Sequence, residues 1–165
     1  MVQGIFAFAG QSLFADVSSH DKRVYAHWVF QTLALILITI AQASIFINKD
    51  NNGYPHYQTI HSYCGLATYI GTLIGTFGGI ANKYSNSLKS FIKPIQLKVG
   101  HGMAGSFLFV FAASTICLGI NQTWTNEADA QLKLGTMAII IITSLYVVSK
   151  SIKTALSRIA TMSKK

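Results

Sequence analysis

The stretch Tyr25–Ile47 reads YAHWVFQTLALILITIAQASIFI and contains no Lys, Arg, Asp or Glu. A helix of about 20 mostly apolar residues is long enough to cross about 30 Å of hydrocarbon. We therefore expect this stretch to form a membrane-spanning helix. Its third residue is nevertheless a histidine, His27, and an ionisable ring inside a membrane span needs a partner.

Three further stretches have the same apolar character: Thr59–Ile80, His101–Ile120 and Leu132–Ser149. The whole chain is 51% hydrophobic and 11% charged, whereas a soluble domain carries about 25% charged residues. The sequence thus predicts an all-α integral membrane protein. Its architecture would be an antiparallel helical bundle with four full transmembrane helices.

The N-terminal stretch Val2–Phe14 is apolar but too short to cross a membrane as a helix. We interpret it as a partial N-terminal helix, and a short interfacial or re-entrant segment is the alternative. Residues 1–165 are treated as a single transmembrane domain.

The basic residues are distributed unevenly, although the formal net charge is +8. All Lys and Arg except Lys49 and Lys133 lie in residues 15–24, in residues 81–100 or after residue 149. Charges clustered between apolar runs are typical of a membrane protein and not of a nucleic-acid-binding protein. Because basic loops stay on the cytoplasmic side, we expect these three regions, including the C-terminal tail, to face the cytoplasm.

Three histidines open spanning stretches, namely His27, His61 and His101, and each is expected in the first turn of its helix. A single such histidine would usually form a hydrogen bond between helices, but three at equivalent positions suggest a shared cause. Haem ligation supplies one, since neutral imidazole is a standard haem ligand. The spans at His27 and His101 leave the same side, so these two rings could bind one iron. His61 would lie at the other side.

Glycines near these histidines have two interpretations. The residue four positions after each histidine, on the same helix face, is Gln31, Gly65 or Gly105 in turn. Gly65 and Gly105 could clear space for a flat ring, or could serve ordinary helix packing, where small residues are common. Four other glycines, which we assign to helix packing, are Gly71, Gly75, Gly78 and Gly79.

Three motifs carry a resemblance to a known family. They are AHWVFQTLAL (residues 26–35), PHYQTIHSYCGL (55–66) and LKVGHGMAG (97–105). On these motifs the sequence resembles the eukaryotic cytochrome b561 family of transmembrane dihaem reductases, and within it the branch called cytochrome b561 domain-containing protein 2. The resemblance extends from Val2 to about Lys153.

This resemblance implies an ascorbate-dependent transmembrane oxidoreductase with six helices, of which the central four bind two b-type haems. His27 and His101 would be the axial pair of the cytoplasmic haem, and His61 one ligand of the non-cytoplasmic haem. The family's first helix and the start of its second have no match here. We therefore expect this chain to ligate one haem fully and to lack the partner of His61.

The resemblance also implies the substrates. Ascorbate would give an electron at the cytoplasmic face, where Lys98 could attract the anion, and the acceptor would be monodehydroascorbate or ferric iron near His56. The lysine could equally reflect the basic loop, and His56 could be a solvated loop residue. An intracellular vesicle or endoplasmic reticulum membrane, or the plasma membrane, would house the protein.

Other functions stay open at this point. The chain could be a non-catalytic haem-bearing anchor subunit, or a truncated family member that keeps one haem without transmembrane flux. A second copy of this chain, in a homodimer, is a further candidate partner. A haem-free transporter or scaffold is less favoured, because no carboxylate lies within the spans to couple ions.

Overall fold

The computed structural model describes residues 4–5, 18–123 and 130–162 of the chain. These residues form four long helices and their connecting turns, with no strand among them. The helices are α1 (His20–Asn51), α2 (Ile60–Lys83), α3 (Pro94–Thr123) and α4 (Ala130–Met162). Each is long and apolar enough to cross a membrane. The predicted all-α membrane fold with four spanning helices is therefore confirmed.

The predicted partial helix at Val2–Phe14 falls mostly outside the described residues. Gly4 and Ile5 are the part of it that the structure describes, and both are helical.

The helices extend well beyond the apolar stretches. α1 begins at His20, where the hydroxyl of Ser19 caps the helix by accepting the Lys22 N–H at 3.3 Å. α3 begins at Pro94, a residue suited to the first helical position because it has no N–H to satisfy. Polar and basic residues therefore continue these helices outside the predicted spans, and hydropathy marks only the apolar portion of each helix.

This extension corrects the predicted position of two histidines along their helices. From His20 to His27, and from Pro94 to His101, the chain makes about two helical turns. The expectation of a first-turn position is thus wrong for His27 and His101. It is correct for His61, the second residue of α2.

Residues 1–58 and 59–165 form two compact units. Within the second unit, α2 and α3 pack antiparallel. The hydroxyls of Thr68 and Thr115 lie 3.4 Å apart, and a Cβ atom built on Gly71 would touch Leu108. α4 also packs against α3. The Ser106 hydroxyl of α3 donates to the Ser151 hydroxyl of α4 at 2.6 Å.

Buried hydroxyls along α2 are satisfied by the helix itself. Thr68 and Thr72 are buried, and each donates to the carbonyl four residues earlier at 2.8 Å. An unsatisfied polar group in a water-free interior would cost several kcal/mol by rough estimate. Back-bonding of this kind lets α2 bury threonines without needing water.

Candidate functional site

His101 lies on α3 beside the C-terminal part of α2. A Cβ atom built on Gly78 would lie 3.5 Å from its Nδ1, and one built on Gly79 would lie 3.5 Å from its Cε1. Both are ordinary van der Waals distances, so the ring lies close to the α2 backbone. Among the glycines assigned to helix packing, Gly71 does pack against Leu108, whereas Gly78 and Gly79 pack against the histidine.

A groove of about 710 Å³ between α2 and α3 includes His101 in its wall. Its volume is in the range of roughly 300–1,000 Å³ found for small-molecule and cofactor sites. Small residues form much of the lining: Ala67, Gly71, Gly75, Gly78, Gly100, Ala104 and Gly105. Apart from His101, the lining residue with a polar side chain is Gln96. The groove can therefore hold a flat apolar group beside an imidazole.

Gly105 contributes to this open space. A Cβ atom built on it would meet no heavy atom within 4 Å, and the residue lines the groove one turn after His101. Of the two interpretations of this glycine, the geometry favours cleared space over close helix packing. Gly65, its counterpart after His61, is not part of the groove lining.

His61 is held differently, by a hydrogen bond to the backbone of α3. Its Nδ1 lies 2.9 Å from the carbonyl oxygen of Thr115. A carbonyl can only accept, so Nδ1–H is the donor and the neutral ring carries its lone pair on Nε2. Metal-bound histidines are commonly oriented in this way, by a hydrogen bond from the other ring nitrogen.

His61 and His101 lie at opposite ends of the α2–α3 pair. Along α2, His61 is level with Thr115, and Gly78 is level with His101. At a rise of 1.5 Å per residue, the distance along α2 from His61 to Gly78 is about 25 Å. These two imidazoles cannot bind the same iron within this helix pair.

His27 belongs to the unit formed by residues 1–58. Its Nδ1 lies 2.8 Å from the carbonyl oxygen of Gly4. A carbonyl can only accept, so Nδ1–H is the donor here as well, and the neutral ring carries its lone pair on Nε2. Gln31, one turn later, lies close to the same glycine: a Cβ atom on Gly4 would be 3.1 Å from its Nε2.

His56 lies in the turn between α1 and α2. Its Nε2 is 2.8 Å from the carboxylate of Asp50, and its ring stacks on Phe46 with centroids 4.1 Å apart. The ammonium of Lys49 donates to the carbonyl of Pro55 at 2.9 Å, and this hydrogen bond links the end of α1 to the turn that contains His56. The carboxylate accepts a hydrogen bond from Nε2–H, so Nδ1 is the ring nitrogen that can meet a ligand.

Lys98 is exposed on α3, three residues before His101. It therefore lies about one turn from His101, on the side of the helix start, and its neighbours Gln96 and Leu97 line the groove. Within the described ranges, no group of three or more His, Cys, Asp or Glu residues is gathered to hold a bare metal ion.

Sequence reasoning missed two groups at the His61 end. Thr115 contributes a backbone carbonyl, which leaves no trace in a residue pattern. Gly119 lies beside the His61 ring. The sequence could have pointed to it only as a glycine near the end of the apolar stretch His101–Ile120, eighteen residues after His101.

Comparison with known proteins supplies the family. A sequence model described as "Eukaryotic cytochrome b561" matches residues 1–126. The human "Probable transmembrane reductase CYB561D1" is 23% identical over 81% of this chain and 56% of its own length. A Caenorhabditis elegans protein, "Putative transmembrane ascorbate-dependent reductase CYB561 homolog", is 22% identical over 90% of this chain and 63% of its own length.

The chain thus spans between 56% and 63% of the length of these relatives. No solved structure gives a significant match. The family match covers well over half of the 165 residues, from residue 1 to just beyond the end of α3 at Thr123. The chain is a member of the eukaryotic cytochrome b561 family.

Proposed function

We propose that this protein is a transmembrane oxidoreductase that passes electrons from cytoplasmic ascorbate to an acceptor on the other side of the membrane. The observation that carries the proposal is the placement of His61 and His101 at the two ends of one helix pair, about 25 Å apart along its axis. A carrier for transmembrane transfer needs a redox group near each surface, because one group alone leaves most of the bilayer uncrossed.

Family membership implies haem b as the cofactor, and the residues present fit it. The groove beside His101 is apolar and floored by glycine and alanine, where a Cβ or a longer side chain would fill the space. The rings of His27 and His61 each donate Nδ1–H to a backbone carbonyl, which leaves the lone pair on Nε2. Haem b, when bound, supplies reversible one-electron chemistry.

The chain's own residues would hold and shield this cofactor. We assign His27 and His101 as the axial pair of the cytoplasmic haem, and His61 as one ligand of the non-cytoplasmic haem. If both imidazoles held one iron, they would leave no coordination site open for oxygen. The apolar groove walls keep water away and so favour electron transfer over side reactions.

The orientation follows from the basic residues. The connection from α2 to α3 contains Lys89 and Lys93, and the end of α4 contains Lys150 and Lys153. Basic segments favour the cytoplasmic side, so we place the His101 end and the C-terminal tail there. Lys98 would then attract ascorbate, an anion, near the start of α3. An intracellular vesicle or endoplasmic reticulum membrane, or the plasma membrane, is the proposed location.

His56 is the proposed acceptor-side residue. Its ring is fixed by Asp50 and Phe46 in a turn outside the helices, so Nδ1 can contact monodehydroascorbate or a ferric chelate. This assignment predicts that His56→Ala slows transfer to the acceptor while ascorbate still reduces the cytoplasmic haem. The membership of the domain-containing protein 2 branch is likewise a proposal, based on the three histidine motifs.

The deciding experiment counts haem per polypeptide by pyridine haemochromogen and records the ascorbate-reduced minus oxidised spectrum. We expect His27→Ala and His101→Ala to lose the same haem, and His61→Ala to keep it. His20→Ala is the matched control, because that side chain is 80% exposed.

Two results would change the proposal. Normal haem content and spectrum in both His27→Ala and His101→Ala would contradict the axial pairing. Bound haem that ascorbate does not reduce would instead favour the non-catalytic anchor subunit.

A further inference from the structure

Gly119 is the most restrictive glycine in the second unit. A Cβ atom built on it would lie 2.7 Å from Cε1 of His61, 3.1 Å from Nδ1 and 3.3 Å from Nε2. All three distances are shorter than ordinary van der Waals contact. The His61 ring therefore occupies the space that any other residue at position 119 would need.

The same close approach creates the hydrogen bond to Thr115. In an α-helix the carbonyl of residue 115 faces the N–H of residue 119, so a side chain at position 119 would stand over this carbonyl. With glycine there, Nδ1–H of His61 reaches the carbonyl oxygen at 2.9 Å. Glycine within a helix is destabilising relative to alanine, but at this position it leaves the approach to the carbonyl open.

We propose that Gly119 and the Thr115 carbonyl are positioning residues for His61. They fix its neutral tautomer with the lone pair on Nε2, and they fix the plane of its ring. This inference rests on the proposed function only where it says that Nε2 then serves a haem. The positioning itself concerns this chain's own residues.

Three variants separate this idea from general helix packing. Gly119→Ala should push the His61 ring off the carbonyl, because a side-chain rotation relieves the contact without unfolding the helix. Gly135→Ala is the matched control, since a Cβ there meets no heavy atom within 4 Å. Thr115→Val removes the hydroxyl but keeps the carbonyl, so it should leave the His61 hydrogen bond intact.

The first readout does not depend on haem. In protein labelled with ¹⁵N-histidine and kept free of haem, the ring nitrogens report which one carries the proton. The His61 resonances are assigned by their loss in His61→Gln. They should report a protonated Nδ1 in the wild type, in Gly135→Ala and in Thr115→Val. Gly119→Ala should lose this signature. An unchanged His61 spectrum in Gly119→Ala would overturn the positioning role.

The second readout is haem binding at the His61 end. Loss of a group that orients a metal ligand typically weakens metal affinity roughly 10- to 100-fold. We therefore expect Gly119→Ala to weaken the His61-dependent haem by about that factor, with a shifted midpoint potential, and to leave the His101-dependent haem unchanged. Equal weakening of both haems would overturn a role specific to His61.

The two ideas can fail separately. If the nitrogen spectrum changes in Gly119→Ala but His61→Ala binds as much haem as wild type, the positioning stands and the ligand role of His61 is refuted. If His61→Ala loses a haem but Gly119→Ala changes neither readout, the ligand role stands and the positioning is refuted.

Discussion

The two ends of the α2–α3 pair hold the same residue type in opposite ways. At one end His61 is confined: its ring donates to the Thr115 carbonyl and fills the space over Gly119. At the other end a Cβ atom built on Gly78 would be at ordinary contact distance from the His101 ring, which lies beside an open groove. Glycine faces the histidine in both cases. At the His61 end it makes room for the ring itself, and at the His101 end the small residues leave room for a ligand.

Filling the groove should have the largest effect on the difference between the two ends, because it changes the His101 end alone. Gly105→Phe places a ring in the open space one turn after His101, and its Cβ meets no neighbouring atom within 4 Å. The helix pair should therefore still assemble. We expect complete loss of the His101-dependent haem, measured by pyridine haemochromogen, together with an unchanged His61 end.

Gly135→Phe serves as the control for this prediction, because it adds the same ring at an exposed position of α4. It should retain all of its haem. If Gly105→Phe bound as much haem as this control, the groove would not be the cofactor's space.

The contrast also marks what the sequence could and could not predict. Four spans and an all-α membrane fold follow from hydropathy, because each helix must carry about 20 apolar residues through the bilayer. The position of His101 two turns into its helix did not follow, since polar residues before it continue α3 outside the apolar portion. The carbonyl of Thr115 could not be found either, because a backbone group is recruited by packing and carries no side-chain signature.

Gly71 tests the packing between the two ends, with a smaller expected effect. A Cβ atom there would lie 2.7 Å from Cδ1 of Leu108, whereas one on Gly75 would lie 3.8 Å from Cδ2 of the same residue. Overpacking costs about 1–3 kcal/mol, but replacing a helical glycine by alanine recovers about 0.5–1 kcal/mol. We expect Gly71→Ala to lower the Tm in detergent and Gly75→Ala to leave it unchanged or raise it.

The partner residue provides the check on this pair. In a Leu108→Ala background the clash is removed, so adding Gly71→Ala should no longer lower the Tm. Contacting residues are expected to be non-additive in this way. Purely additive effects of the two substitutions would show that Leu108 is not what limits the spacing of α2 and α3.

Ser151→Ala should have the smallest effect, and it asks whether α4 contributes to the His101 end. The Ser151 hydroxyl is 2.6 Å from that of Ser106 and 3.4 Å from the carbonyl of Gly102, the residue after His101. Hydrogen bonds between membrane helices average about 0.6 kcal/mol, so the expected loss of stability is of that order. Ser149→Ala is the control, because the Ser149 hydroxyl donates within its own helix to the Tyr146 carbonyl.

A small fall in Tm of Ser151→Ala, with a shifted midpoint potential of the His101-dependent haem, would show that α4 helps to position the His101 end. A fall in Tm that Ser149→Ala reproduces would show that the Ser106–Ser151 contact adds nothing specific, and that α2 and α3 alone define the difference between the two histidines.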